Sequence, residues 1–400
     1  MRKLATIRRV DEVFPIEGAD SIEGVRVGGW AVVVLKSEAY KAGDKIIFCE
    51  IDSVFPEKPE FEFLRDRKFR IKSIKLRGQI SQGICFPLSI LPKGKWNEDD
   101  DVTDALGIVL YEPKVSASLG GDAKGLFPGC VPKTDEERIQ NLGREIEGLI
   151  DERFYITEKL DGTSVTFMLH KDMFDVCSRN LAWKRMDLPE KISWIRSIWN
   201  KVTGYKPRKK ENNVYWKVAL WNDIEEKMRA YREKNGFDFA IQGEIVGEGI
   251  QGNKYKIAGQ KLFVFNVFNI STQKFLSLDE MKSVVAELGL EFVPVIETDF
   301  VISARPEFKD ACADLIKATQ ERKAVIDRAE IDKDLIARFN QSRGSIIGNL
   351  LSMADGNSVI YPAGRREGLV FRNQNDVDCS FSKKSFKAIS NQFLLKEKDE

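Results

Sequence analysis

The sequence of 400 residues contains a single histidine, His170, and six cysteines, none of which lie in a C-x-x-C pair. This scarcity argues against a structural zinc site and against a disulfide framework. Unpaired cysteines are typical of a reducing compartment, so we expect a cytoplasmic protein. His170 lies between a predicted strand and a polar turn and is predicted to be structural. We therefore expect any catalysis to depend on lysines, carboxylates and a metal ion.

Long apolar runs and an excess of one charge sign are also missing. No stretch approaches the ~20 apolar residues that a membrane span requires, and the N-terminus lacks the apolar run of a signal peptide. With 63 basic and 62 acidic side chains the net charge is +1. No overall field therefore attracts a polyanion, and nucleic-acid binding would need a local basic patch. A hydrophobic content of 42% suffices for a full core.

Residues 1–105 carry short strand-like runs such as "WAVVVL", "KIIFCEI" and "GICFPLSIL", separated by Gly/Pro turns. This spacing is typical of a small β-barrel. Residues 106–150 are predicted to be a linker followed by a helix. Thr134 and Glu137 fit a capping box there, and apolar residues follow on one helical face. They are Ile139, Leu142, Ile146 and Leu149.

From 151 to 400 the pattern is mixed. Apolar alternation predicts strands at 153–158, 163–169, 239–246, 261–268, 367–372 and 379–387. A helical period predicts helices at 190–203, 223–235, 278–289 and 307–340.

The segment "EKLDGTS" at 158–164 places Lys159, Asp161 and Gly162 between two of these strands. One interpretation is a hairpin, because Asp-Gly between alternating apolar residues is a strong hairpin signal. The other is a lysine that acts as a covalent nucleophile. The segment alone leaves both open.

Further polar segments follow in a fixed order at the edges of apolar strands. They are "CSRN" (177–180), "AIQGEIVGEG" (240–249), "LFVFNVFNI" (262–270), "REGLVFR" (366–372) and "SFSKKSFKAIS" (380–390). Together with "EKLDGTS" they resemble the motifs of the covalent nucleotidyltransferases, which include polynucleotide ligases and mRNA capping enzymes. "PKTDEERIQNL" and "SFKAISNQFLL" resemble RNA ligases in particular. The β-rich residues 1–105 resemble the OB domain that precedes the catalytic domain in one group of ATP-dependent RNA ligases.

The resemblance implies an α+β fold: an N-terminal OB-fold β-barrel, then an adenylyltransferase (ATP-grasp-like ligase) domain of antiparallel sheets and helices. The implied boundaries are 1–105, 106–150 and 151–400. The implied activity is the joining of RNA 3′-OH and 5′-phosphate ends by a monomer, with ATP and Mn²⁺ or Mg²⁺ as cofactors. A DNA ligase that seals nicks by the same chemistry is the alternative. Only 13 residues follow Lys387, which leaves no room for a C-terminal OB domain and favours the RNA ligase.

The resemblance also implies roles for individual residues. Lys159 would carry AMP, Lys387 would contact the α-phosphate, and Phe265 would stack on adenine, with Phe263 as the alternative. Either Lys383 or Lys384 would assist Lys387. The implied catalytic residues are Lys159, Asp161, Glu367 and Lys387. The implied nucleotide-binding residues are Glu158, Lys159, Arg179, Glu244, Phe265, Lys384 and Lys387. The implied metal ligands are Asp161, Glu367 and Glu244.

A lysine nucleophile must lose its proton, although its ordinary pKa is about 10.4. Nearby cations favour the neutral amine. We therefore expect Lys159 to have positive neighbours, namely a divalent metal and the lysines of 383–387.

Two basic segments are candidates for contacts with nucleic acid. Residues 184–210 hold nine Lys/Arg against two acids, interleaved with tryptophans. Residues 65–77 crowd seven Lys/Arg into one part of the N-terminal region. Each segment fits either a solvated surface or a phosphate-binding patch.

Overall fold

The fold is given by a computed structural model that describes residues 3–111, 122–134, 136–143, 145–185, 213–325, 333–374 and 385–396. It consists of a β-rich N-terminal region and a larger region with two sheets.

Short antiparallel strands build the N-terminal region. β1, β5 and β9 form one sheet, β2, β3 and β4 form a second, and the remaining strands pair as β6 with β10 and β7 with β8. Their bounds are β1 Ala5–Arg9, β2 Glu12–Pro15, β3 Ile22–Val27, β4 Trp30–Leu35, β5 Lys45–Cys49, β6 Ser53–Val54, β7 Ile74–Leu76, β8 Gln79–Ser81, β9 Ile84–Phe86 and β10 Val109–Leu110. Both sheets contribute to a single core in which Val25, Trp30, Ile47 and Phe48 are almost fully buried. This agrees with the predicted small barrel.

The larger region contains an eight-stranded sheet in the order β11-β16-β15-β14-β17-β18-β19, with β20 also paired to β18. Its strands are β11 Ala123–Leu126, β14 Thr163–His170, β15 Met173–Ser178, β16 Leu181–Trp183, β17 Phe239–Gly247, β18 Gln260–Asn269, β19 Lys274–Phe275 and β20 Glu291–Phe292. The long central strands β14, β17 and β18 are buried along most of their length, as expected for a sheet covered on both faces.

A five-stranded sheet in the order β12-β23-β22-β13-β21 faces it. Its strands are β12 Glu137–Arg138, β13 Phe154–Lys159, β21 Val295–Phe300, β22 Gly368–Asn373 and β23 Phe386–Ile389. Five of the six predicted strands therefore end within two residues of their predicted bounds. Of the sixth, predicted at 379–387, the part before residue 385 lies outside the described residues.

Asp161 and Gly162 connect the two sheets. β13 pairs with β21 and β22, whereas β14 pairs with β15 and β17, so the two strands around the turn do not pair with each other. The hairpin interpretation is therefore wrong. The chain leaves one sheet at Lys159 and enters the other at Thr163.

The α-helices of the described residues are α1 Thr103–Leu106, α2 Val214–Trp221, α3 Ile224–Asn235, α4 Leu278–Glu287, α5 Lys309–Val325, α6 Lys333–Ala354 and α7 Asn391–Lys396. The predictions at 223–235 and 278–289 correspond to α3 and α4. The prediction at 307–340 corresponds to α5 and α6, and α6 continues beyond it. The helix predicted at 190–203 lies outside the described residues. Within those residues, no helix is both long enough and apolar enough to cross a bilayer.

The helix predicted after Thr134 is wrong. Glu137 and Arg138 instead pair in parallel with Phe386 and Lys387 of β23. Two short 3-10 turns follow at Ile139–Leu142 and Ile146–Gly148. Ile139, Ile146 and Leu149 are buried and Leu142 is half-buried, but strand pairing at 137–138 outweighs the local helical preference.

Candidate active site

A cavity of about 320 Å³ lies between the two sheets, beside the Asp161–Gly162 connection. It brings together the site residues that the sequence predicts, with Lys384 outside the described residues. Those lining it are Glu158, Lys159, Asp161, Arg179, Glu244, Phe265, Glu367 and Lys387. They come from segments up to 229 positions apart, and the pairing of β13, β14, β17, β22 and β23 assembles them.

Lys159 is placed by strand pairing. It ends β13 opposite Gly368, the first residue of β22, so Glu367 lies directly beside it. Its Nζ donates a hydrogen bond of 2.6 Å to Glu367 Oε2. Lys387 reaches the same cavity from β23, where it pairs with Val370.

Gly162 allows a close approach between the turn and β17. A Cβ atom at this position would lie 2.3 Å from the carbonyl oxygen of Ile245 and 2.9 Å from Glu244 Cγ. The close neighbour of this glycine is strand β17, and the missing side chain lets Glu244 lie next to the turn.

Residues 250–257, between β17 and β18, also hold the turn. Tyr255 Oη accepts a hydrogen bond of 2.6 Å from the backbone N–H of Asp161. Lys254 Nζ lies 2.5 Å from Asp161 Oδ2. Tyr255 is 5% exposed, so the backbone of the turn is anchored to the core.

The charge around Lys159 differs from the expectation. Burial would lower its pKa, but the carboxylates of Glu367, Glu244 and Asp161 outweigh burial and raise it. Burial likewise raises the pKa of Glu367, and it raises the pKa of Glu244 to about 8. In this state the lysine is an ammonium among carboxyl groups, one of which holds a proton at neutral pH. A cation added among the carboxylates would reverse the effect on Lys159.

The carboxylates fit a hydrated divalent ion. Asp161 Oδ2 is buried and lies 2.5 Å from Lys254 Nζ, so a cation already balances its charge at the place where a divalent ion would act. Oxygen ligands suit Mg²⁺ and Mn²⁺. In the described part of the chain no three acidic, His or Cys side chains converge into a preformed cage. An ion here would therefore keep much of its water shell, as Mg²⁺ commonly does.

Phe265 faces the cavity, while Phe263 is 4% exposed and packs in a core cluster with Leu160 and Tyr255. The structure thus favours Phe265 as the stacking ring. A β-bulge opposite Gln242 and Gly243 interrupts the alternation of β18. Val267 therefore packs into a different core cluster from Phe263 and Phe265.

Glu158 lies at another wall of the cavity with only 2% exposure. Its Oε2 accepts a hydrogen bond of 2.7 Å from the backbone N–H of Val359, whereas Oε1 is buried without a partner. Burial raises the pKa of this carboxyl. An unpaired buried acceptor is costly, so Oε1 is suited to receive a donor from a ligand.

Several residues at the site were missed by the sequence analysis. Arg372 Nη1 donates to Glu136 Oε1 at 2.9 Å, and the guanidinium lies 5.4 Å from the centre of the Phe265 ring. Both charged residues line the cavity. The alternation of β22 places Arg372 on the same face as Val370, which was a usable signal. Nothing in the local sequence indicated Lys254 and Tyr255, which reach the turn only through the folded loop.

Comparison with known proteins identifies the chain. Residues 4–88 match an OB-fold domain and residues 152–389 match the RNA ligase family. The second match covers more than half of the chain. The chain belongs to the RNA ligase family.

Solved structures similar over the full length support this assignment. An apo mutant of the Naegleria gruberi RNA ligase is 31% identical with a TM-score of 0.72, and the match covers 100% of this chain and 99% of that one. The same ligase with PPi is 32% identical, and a lysine-to-alanine mutant with ATP and Mn is 31% identical. Both have a TM-score of 0.71, and each match covers 100% of this chain and 100% of the solved chain. No curated protein matches the chain. The predicted family, the OB-fold domain and the fold class are confirmed.

Proposed function

We propose that this protein is an ATP-dependent RNA ligase that joins a 3′-OH end to a 5′-phosphate end. The observation that carries the proposal is the position of Lys159. It is a lysine at the inter-sheet turn, 2.6 Å from Glu367 Oε2 and facing a cavity that also holds Lys387 and Arg179. Family membership and the solved neighbour with ATP and Mn support it.

The chemistry consists of three displacements at phosphorus. The neutral amine of Lys159 attacks the α-phosphate of ATP, a P–N bond forms, and the P–O bond to pyrophosphate breaks. The RNA 5′-phosphate then attacks the same phosphorus and releases the lysine, which leaves adenylated RNA. Finally the 3′-OH attacks the RNA phosphate and AMP departs. Lys387 and Arg179 are placed to balance the charge that develops on the phosphate oxygens.

Asp161, Glu367 and Glu244 would hold the Mn²⁺ or Mg²⁺ ion. When bound, the ion supplies positive charge that offsets the phosphate charge and favours the neutral form of the lysine. The three carboxylates would position this charge. Glu367 accepts a hydrogen bond from the Nζ of Lys159 and so holds the side chain in place.

The base of ATP is proposed to lie between Phe265 and Val370, which both line the cavity. Glu158 Oε1 is a buried acceptor without a partner, and the exocyclic amine of adenine is a donor. Guanine presents a carbonyl oxygen at that position. Glu158 therefore favours ATP over GTP.

Incubation with ATP labelled at the α-phosphate, followed by a denaturing gel, tests the covalent step. The intact protein should become labelled when Mn²⁺ or Mg²⁺ is present and lose labelling with a chelator. Lys159→Ala should abolish labelling yet still join pre-adenylated RNA, because that last step needs no lysine nucleophile. Lys309→Ala, at the exposed start of α5, is the control and should label normally. Labelling of Lys159→Ala at the intact level would refute the assignment.

The preference for RNA over DNA rests on the ribose 2′-OH. A site that binds this hydroxyl loses roughly 1–3 kcal/mol when it is missing, or about ten- to a hundredfold in rate. The enzyme should seal a DNA nick with one ribonucleotide at its 3′-OH end about ten- to a hundredfold faster than an all-DNA nick. Equal rates would favour the DNA ligase alternative.

We also propose that the protein acts as a monomer in the cytoplasm. All the described site residues come from one chain, so no second copy is needed to complete the cavity. The cysteines within the described residues carry free thiols, as expected in a reducing compartment. Light scattering of the purified protein with and without RNA tests the monomer.

A further inference from the structure

We propose that Lys254 is a positioning residue that holds the Asp161 carboxylate until the divalent ion arrives together with ATP. This inference rests on the proposed function, because it concerns the ion that the carboxylates would hold. Lys254 lies outside every motif in the sequence that indicated the ligase chemistry.

The folded loop fixes the ion pair between Lys254 and Asp161. Lys254 Nζ lies 2.5 Å from Asp161 Oδ2, and the two side chains are 34% and 15% exposed. The loop that carries Lys254 is fixed by two hydrogen bonds between the side chain of Asn253 and the backbone of Ile257, at 2.9 and 3.0 Å. The neighbouring Tyr255 binds the backbone N–H of Asp161. The loop therefore brings the ammonium to the Asp161 carboxylate.

The contact is also displaceable. It joins one ammonium to one carboxylate oxygen, so a cation of higher charge can replace the ammonium. The ammonium has a second favourable neighbour, because Lys254 Nζ lies 4.3 Å from the ring centre of Phe393 in α7. Lys254 can leave the carboxylate without losing all its stabilising contacts.

An ammonium and a divalent ion at the same carboxylate oxygen repel each other. An ion that takes the place of the ammonium at Asp161 Oδ2 therefore competes with Lys254. Without nucleotide the ion binds only the carboxylates, and the displacement of Lys254 weakens that binding. With ATP it also gains phosphate oxygens, and the displaced ammonium gains phosphate charge. Lys254 thereby couples ion binding to ATP binding.

The test measures Mn²⁺ binding by the electron paramagnetic resonance of the free ion, with and without an ATP analogue that has a methylene between the α- and β-phosphates. The intact protein should bind Mn²⁺ more weakly without the analogue than with it. Lys254→Met and Lys254→Gln should tighten binding in the absence of the analogue by about fivefold or more and narrow the difference between the two conditions. Lys254→Arg should resemble the intact protein.

Lys256→Met is the matched control, because Lys256 is an exposed lysine two positions away on the same loop. Its Mn²⁺ affinity should equal that of the intact protein, which separates the role of Lys254 from a general loss of charge. Unchanged or weaker binding in both neutral variants of Lys254 would overturn the inference while leaving the proposed function intact. Absence of Mn²⁺ binding by the intact protein with the analogue would overturn the metal part of the proposed function and this inference with it.

Discussion

At the scale of single residues, the protein surrounds its lysine with carboxylates. The expectation of positive neighbours for Lys159 came from what the amine needs at the moment of reaction. In the structure the carboxylates of Glu367, Glu244 and Asp161 outweigh burial and raise the pKa of the lysine. The sequence indicated which residues gather around Lys159, but their mutual charge effects depend on distances and burial that appear only in the folded chain.

Glu244 should make the ligand-free protein less stable at alkaline pH. Its pKa is about 8 when folded against 4.5 ordinarily, so between these values the folded protein holds more protons than the unfolded chain, and stability falls as pH rises. Tm should fall between pH 5.5 and 8.5 when it is measured with chelator. In Glu244→Gln this fall should be smaller by about 2–4 °C, which corresponds to roughly 1 kcal/mol in the free energy of unfolding. Glu248→Gln, exposed on the same segment, is the control. An unchanged drop in Glu244→Gln would contradict the prediction.

Glu158→Gln should impair ATP binding more than the chemistry. The amide keeps an oxygen for the N–H of Val359 but presents a donor where Oε1 now stands unpaired. Facing the adenine amine, that donor should raise KM for ATP about tenfold, or ~1.4 kcal/mol, with a smaller effect on labelling at saturating ATP. Discrimination against GTP should shrink by a similar factor. Label transfer at varied ATP and GTP measures both; an unaltered ATP/GTP ratio would remove Glu158 from base recognition.

At the scale of elements, the strands followed from the sequence and their connections did not. Apolar alternation located β13, β14, β17, β18 and β22 because a strand covered by packing needs apolar side chains along its length. The hairpin interpretation of the Asp-Gly turn and the helix predicted after Thr134 both rest on local signals, and both are wrong. In each case pairing with a distant strand decided the backbone conformation.

Gly162→Ala should disable the turn. The new Cβ would lie 2.3 Å from the carbonyl oxygen of Ile245, so the turn must move away from β17 and take Asp161 with it. A displacement of about 1 Å can reduce a positioned reaction ~100-fold, and we expect at least that loss in label transfer. Gly348→Ala in α6 is the control, because a Cβ atom added there would have no atom outside the local helix backbone within 4 Å. This substitution should raise the free energy of unfolding by about 0.5–1 kcal/mol. Normal labelling by Gly162→Ala would show that the turn tolerates the shift.

At the scale of the whole molecule, the OB-fold region packs on the catalytic region. Ile347 of α6 lies close under Gly29, and the Arg138 guanidinium lies 5.9 Å from the ring centre of Trp30. Among the described residues, those that line the proposed ATP cavity all lie beyond residue 130. We therefore expect the OB-fold region to contact the polynucleotide. The domain boundaries at 105 and 150 stay predictions. The basic segment 184–210 lies mostly outside the described residues.

Neutralising exposed cations of the OB-fold region should impair joining but not labelling. Within residues 65–77, Arg65 and Arg70 pair with acidic side chains, whereas the cations chosen for substitution are exposed: Arg67, Lys72, Lys75 and Arg77. Phe63 nearby is 61% exposed and suits base stacking. Replacing the four cations by Gln should leave self-labelling unchanged and weaken RNA joining. Each lost phosphate contact should lower the salt slope of RNA binding by about 0.7–0.9. Joining with the intact salt slope would assign this face another purpose.

The connection between the two sheets has a mechanical consequence. A second connection, between β20 and β21, runs beside the Asp161–Gly162 turn, and Pro294 in it accepts a hydrogen bond of 2.9 Å from the Glu158 N–H. Leu160 and Val293 pack in one cluster there. These two links hold the sheets together beside Lys159. If the sheets separated to admit a duplex, we would expect Lys159 to be displaced less than Lys387, which lies two strands farther along its sheet.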